Sequence, residues 1–131
     1  MLEKFNGKVR VVFKQFPLNS HPFALKAAMA ALAARNQGKF FEFHRKLLEN
    51  YRSINDAKIQ SIAKELHLDM KRFNNELNSA ASRTLISADI QNGIAVGVHG
   101  TPALFMNGKR IENRNFSSLF SLIETELAKP R

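Results

Sequence analysis

The sequence predicts an α/β fold in which a large helical segment interrupts a small sheet. Three observations predict it. A β-branched and aromatic run occupies Lys8–Phe16, a long middle stretch repeats apolar residues at helical spacing, and a short apolar run, Ala103–Met106, leads into Asn107-Gly108. The expected order is strand, five helices, hairpin, helix, with no internal repeat, linker or low-complexity tract. A length of 131 residues suits one domain with a core of its own. The expectation is therefore a single domain over residues 1–131 with a helical insertion at about 39–96.

Each element has a local reason. Lys8–Phe16 places Val9, Val11 and Phe13 on one face and Val12 and Phe16 near the other, a pattern that suits a strand. Pro17 ends it. Ser20-His21-Pro22 reads as a helix start, with Ser20 as cap and Pro22 in the first turn. The helix over Phe23–Asn36 carries Ala24, Ala27, Ala28, Ala31 and Ala34, small side chains that let it lie close to a sheet, and Gly38 is its natural stop. Phe40, Phe43, His44, Leu47 and Leu48 give a second helix, and Ile59, Ile62, Ala63 and Leu66 a third. Asp69 caps a short fourth, with Met70, Phe73 and Leu77 inward. A fifth spans about Ser79–Val96, with Ala81, Leu85, Ala88 and Ala95 among its expected buried positions. Asn107-Gly108 is a hairpin signal, and Lys109–Ile111 returns as the second strand. Asn115 caps a last helix with Phe116, Leu119, Phe120, Ile123 and Leu127 on its inner stripe.

Composition narrows the function classes. No stretch approaches the roughly 18 apolar residues of a membrane span, and residues 1–7 lack the apolar core of a signal peptide. The net charge of +9 comes from 20 basic and 11 acidic residues, but the basic residues are scattered and reach only pairs such as Arg45-Lys46, Lys71-Arg72 and Lys109-Arg110. A solvated surface explains that pattern better than a nucleic-acid interface. The chain has no cysteine, so disulfide staples, thiolate metal sites and cysteine nucleophiles are excluded within it. His21, His44, His67 and His99 share no metal-ligand spacing, and neither a metal nor another cofactor is expected.

Three stretches, KVRVVFKQFPL at Lys8–Leu18, QGKFFEFHRKLL at Gln37–Leu48 and GVHGTPALFMNG at Gly97–Gly108, resemble the DsbA-like thiol:disulfide oxidoreductases of the thioredoxin superfamily. The resemblance covers roughly residues 5–128. It implies a thioredoxin-like sheet with a large helical insertion, and Lys8–Phe16 as the family's second core strand. It also implies that the first, central strand and the helix start bearing Cys-x-x-Cys are missing here, with residues 1–6 similar to that helix's tail. An open sheet would then expose Val9, Val11, Phe13 and Phe105 and favour a homodimer or a strand-exchanged oligomer.

What the resemblance implies for function follows. Gly100-Thr101-Pro102 matches the family's cis-proline loop, in which the backbone of the residue before proline pairs with an extended substrate peptide. His99, beside that loop, and Lys14, near the strand end, are possible accessory groups. Disulfide exchange needs an attacking thiolate and a resolving thiol, so a chain without cysteine is expected to be redox-inactive by itself. Two readings stand: a disulfide oxidoreductase or isomerase scaffold without its catalytic motif, and a non-catalytic peptide-binding or homo-oligomeric assembly module. Family analogy places either in the periplasm or another extracytoplasmic compartment.

Overall fold

A computed structural model describes residues 3–130. Its elements are α1 (Ala24–Arg35), α2 (Phe40–Glu49), α3 (Asp56–Glu65), α4 (Met70–Glu76), α5 (Ala80–Ala95), β1 (Leu104–Met106), β2 (Lys109–Ile111) and α6 (Phe116–Leu127). The chain divides into two compact units: Lys14–His99, and the stretch up to Phe13 together with the chain from Gly100 onward.

The helical unit is built around α1, which packs against α2, α3, α4 and α5. Its run from Ala28 to Ala34 is buried on every side, as expected of a central helix rather than an amphipathic one. The alanines, expected to lie against a sheet, instead let neighbouring helices approach. Ala30, Ala31, Ala33 and Ala34 join Phe43 and Leu47 of α2, Ile59, Ile62 and Ala63 of α3, Leu68, and Phe73 of α4 in the main cluster. Ala28, Met29 and Leu32 meet Ile86 of α5 in a second.

Helix ends follow local chemistry. Asn55, Asp69 and Ser79 accept the backbone N–H of Lys58, Arg72 and Ser82 and so cap α3, α4 and α5. The start of α1 differs from expectation. Two successive turns, closed by His21 N–H to Leu18 C=O and Ala24 N–H to His21 C=O, delay the helix to Ala24, and Phe23 stands at its N-cap without a side-chain bond. At its other end α5 stops at Gly97, whose φ of +82° lets Val98 N–H reach back to Gly93 C=O at 2.9 Å.

The buried face of α5 also differs. Ser82, Ile86 and Asp89 point inward, while Ala81, Ala88 and Ala95 are exposed. Large apolar groups at Leu85, Ile86 and Ile90 set the face, because they remove more apolar surface from water than alanines do.

The second unit is a hairpin under a helix. β1 and β2 pair antiparallel with Leu104 opposite Ile111, Phe105 opposite Arg110 and Met106 opposite Lys109. Asn107 and Gly108 turn the chain with φ of +48° and +80°, the doubly left-handed geometry that a two-residue hairpin loop requires. Asn115 caps α6 through Ser118 N–H at 2.8 Å. Leu119 and Ile123 of α6 close over Ile111 and Phe5, with Val9, Leu104, Met106, Phe120 and Leu127 packed around them. Phe116, placed on the inner stripe by its spacing, is 73% exposed, because it sits on the first residue of α6.

Lys8–Phe16 forms no strand. Among the described residues the sheet has only β1 and β2, and residues 9–18 carry no regular secondary structure. A strand is held by ladder bonds to a neighbour, and the sheet of the described residues does not extend to this segment. Val9 joins the hairpin cluster, whereas Val11, Val12 and Phe13 are exposed. Within residues 1–6, the first two lie outside the described residues. The remainder is part of a turn in which Lys8 N–H bonds Phe5 C=O at 2.9 Å, rather than a helix end.

Candidate functional site

Gly100, Thr101 and Pro102 open the hairpin unit and lead directly into β1. The Thr101–Pro102 peptide bond is cis. Thr101 and Pro102 are exposed and Gly100 is half-buried. One contact ties it down: Arg114 Nη1 donates to the Pro102 carbonyl at 2.7 Å. Arg114 stands between β2 and α6, where Asn113 Oδ1 accepts Asn115 N–H at 3.2 Å and shapes the connection.

Lys14 belongs to the helical unit and is held there. Its Nζ lies 3.4 Å from Asp89 Oδ1, while Asp89 Oδ2 accepts the Gln15 N–H at 2.8 Å. Asp89 is buried and Lys14 is half-exposed. Next along α5, a Cβ at Gly93 would come within 2.7 Å of the Phe16 ring. Asp89 and Gly93, four residues apart on one face, therefore fasten Lys14–Phe16 to α5. Lys14 thus serves an anchoring pair. His99 is exposed. His44 stacks on Phe40 with ring centroids 5.6 Å apart and planes 12° from parallel. Burial holds its imidazole pKa below the ordinary histidine value.

Two residues of consequence escaped the sequence reading. Asp89 carried a signal, a lone carboxylate on the stripe through Ile86, Ile90 and Gly93, but that stripe emerges only once α5 is phased on its large apolar residues. Arg114 carried none, since a side chain reaching a carbonyl twelve residues away leaves no periodic trace. Among the described residues no group of three or more histidines, aspartates or glutamates could hold a metal ion. No helix there is long and apolar enough to cross a membrane.

A family model described as Thioredoxin matches residues 1–125. This chain belongs to the thioredoxin family. Its DsbA-like character agrees with the elements above: a helical block, a proline loop and a terminal hairpin with its helix. The thioredoxin-like chain superposes on a thioredoxin-like oxidoreductase from Silicibacter pomeroyi with a TM-score of 0.81 and 24% identity, over 99% of this chain and 75% of that one. That likeness shows the shared fold. Among curated relatives it is 34% identical over 125 residues to the Na(+)/H(+) antiporter NhaA 1 of Salinispora arenicola, covering 94% of this chain and 19% of the relative. It is 32% identical over 107 residues to the NhaA of Herminiimonas arsenicoxydans, covering 82% and 17%. The thioredoxin-like chain thus spans about a fifth of the length of the curated relatives it matches.

Proposed function

We propose that this chain is a DsbA-like protein-disulfide oxidoreductase or isomerase scaffold, redox-inactive by itself, whose Gly100–Pro102 loop takes extended peptides. The observation that carries the reading is a thioredoxin-family chain without any cysteine. Exchange begins when a thiolate attacks a disulfide sulfur and a mixed disulfide forms. Serine, threonine and histidine form no such intermediate, so the fold retains its peptide-facing loop and lacks the electron-transferring pair. The exposure of Thr101 supports the peptide arm, because strand addition needs an accessible residue whose main chain can be bonded.

A second reading, an assembly module forming a homodimer or strand-exchanged oligomer, is favoured by one observation: Val11, Val12, Phe13 and Phe105 are exposed. An extracytoplasmic location, by family analogy, belongs to the same proposal.

The test is insulin reduction by dithiothreitol and refolding of scrambled ribonuclease, run beside a Cys-x-x-Cys thioredoxin. Rates equal to the uncatalysed blanks are expected, and turnover above them removes the redox-inactive reading. Light scattering on the same sample decides the assembly reading. A mass twice that of the chain supports it, and a monomer at high concentration removes it.

A further inference from the structure

Arg114 offers more than an anchor for the proline loop. Its guanidinium is planar with five N–H donors, and one of them is spent on the Pro102 carbonyl. Among the described residues Arg114 makes no ion pair. The nearby carboxylate of Glu112 is turned to Arg110, 3.6 Å away. The fork therefore holds an uncompensated positive charge against an exposed loop. Thr101 is the adjacent residue, and neighbouring Cα atoms lie about 4 Å apart. A strand added beside Thr101 would run about 4.8 Å away, so its side chains would pass within reach of the remaining Arg114 donors.

We propose that Arg114 is the specificity-determining residue of this loop and selects extended peptides that carry an acidic side chain. The inference rests on the peptide-binding reading above. A carboxylate suits the guanidinium because the two form paired, charge-assisted hydrogen bonds, which a neutral amide reproduces only in part. Lysine at this position would keep the charge and lose the fork, so it could not both hold Pro102 and grip a carboxylate in the plane.

The experiment uses fluorescein-labelled octapeptides rich in valine and glutamine, with glutamate replacing glutamine at one position at a time, titrated by fluorescence anisotropy at low salt. At one or two central positions glutamate should tighten binding by about tenfold, the scale of one charge-assisted contact. Arg114→Gln should abolish that preference, and Arg114→Lys should keep part of it. Arg114→Glu should reverse it, favouring a peptide with lysine at the same position, a reversal that a merely structural role does not produce. A glutamate preference that survives in Arg114→Gln overturns the inference. Equal binding of all peptides to the unmodified chain overturns it and leaves the peptide-binding reading standing, whereas binding of none overturns both.

Discussion

Phe43, Phe73, Ile62 and Ile86 are fully enclosed, and all four lie in the helical unit; the best-buried member of the hairpin cluster, Ile123, remains 5% exposed. The helical unit has one helix surrounded by four others. The hairpin unit rests on a smaller cluster whose surrounding residues are only partly buried. The proline loop belongs to the second of these. The more deeply buried core thus lies in one part of the chain and the proline loop proposed to take peptides in the other. Segments that open for ligands generally come from the less stable parts of a fold.

The most direct way to break this comparison is to hollow each core in turn. Phe43→Ala should cost about 3–5 kcal/mol, the usual penalty for emptying an enclosed aromatic site. Ile123→Ala should cost about 2 kcal/mol, the low end for its type, because half-buried neighbours such as Phe120 and Leu127 can move in. Urea unfolding gives the totals and residue-resolved hydrogen exchange assigns them. Exchange should rise across α1–α4 in the first variant and across the hairpin and α6 in the second. An Ile123→Ala penalty as large as that of Phe43→Ala would end the claim that the two units are unequal.

Asp89 sharpens the comparison within the helical unit, at a smaller scale. Asp89→Ala leaves the Gln15 N–H without its acceptor, a loss of about 1–3 kcal/mol. Asp89→Asn keeps an oxygen for that N–H and should recover much of it. Lys14→Met should change stability by less than about 1 kcal/mol, because the lysine end of the ion pair is solvated. Exchange at the Gln15 amide separates these cases. Deprotection by Lys14→Met as strong as that by Asp89→Ala would show that the ion pair, rather than the backbone bond, fastens the segment.

The same contrast governs what the sequence discloses. Helices α2–α4 and α6 are legible because apolar spacing and, for α4 and α6, the caps are local: Asp69 and Asn115 cap where their types say they should, and Phe43, Phe73 and Ile62 fall inward at helical period. The hairpin is legible in Asn107-Gly108 for the same reason. Lys8–Phe16 misleads because β-propensity reports the fit of side chains to a pleated surface, whereas a strand also needs a neighbour for its ladder. Val12 and Phe13 have the right chemistry, yet they lie in a stretch without regular secondary structure. In α5 the alanines Ala81, Ala88 and Ala95 form a plausible stripe, yet burial followed the bulkier Ile86 and Ile90. At the site, Thr101-Pro102 stands out as a motif. Arg114 and the Asp89–Gln15 bond are tertiary contacts, so they become visible only when the chain is folded.

The smallest effect concerns pH and touches only the helical unit. His44 lies half-buried on α2 against Phe40, and removal from water disfavours its charged form, which lowers its pKa in the folded state. The unfolded chain therefore takes up this proton at a higher pH, near the ordinary histidine value of about 6.5. Wherever the unfolded state binds more protons, stability rises with pH. The His44 contribution is thus present above the unfolded value of about 6.5 and is lost as pH falls from there through the lowered folded-state pKa. His44→Gln should flatten the fall in unfolding free energy between about pH 7.5 and 5.5, while His21, His67 and His99 remain in both proteins and cancel in the difference. Urea midpoints across that range provide the measurement. If the two proteins lose stability in parallel, the stacked imidazole is not the group that couples the helical core to protons, and the acid sensitivity of this chain lies elsewhere.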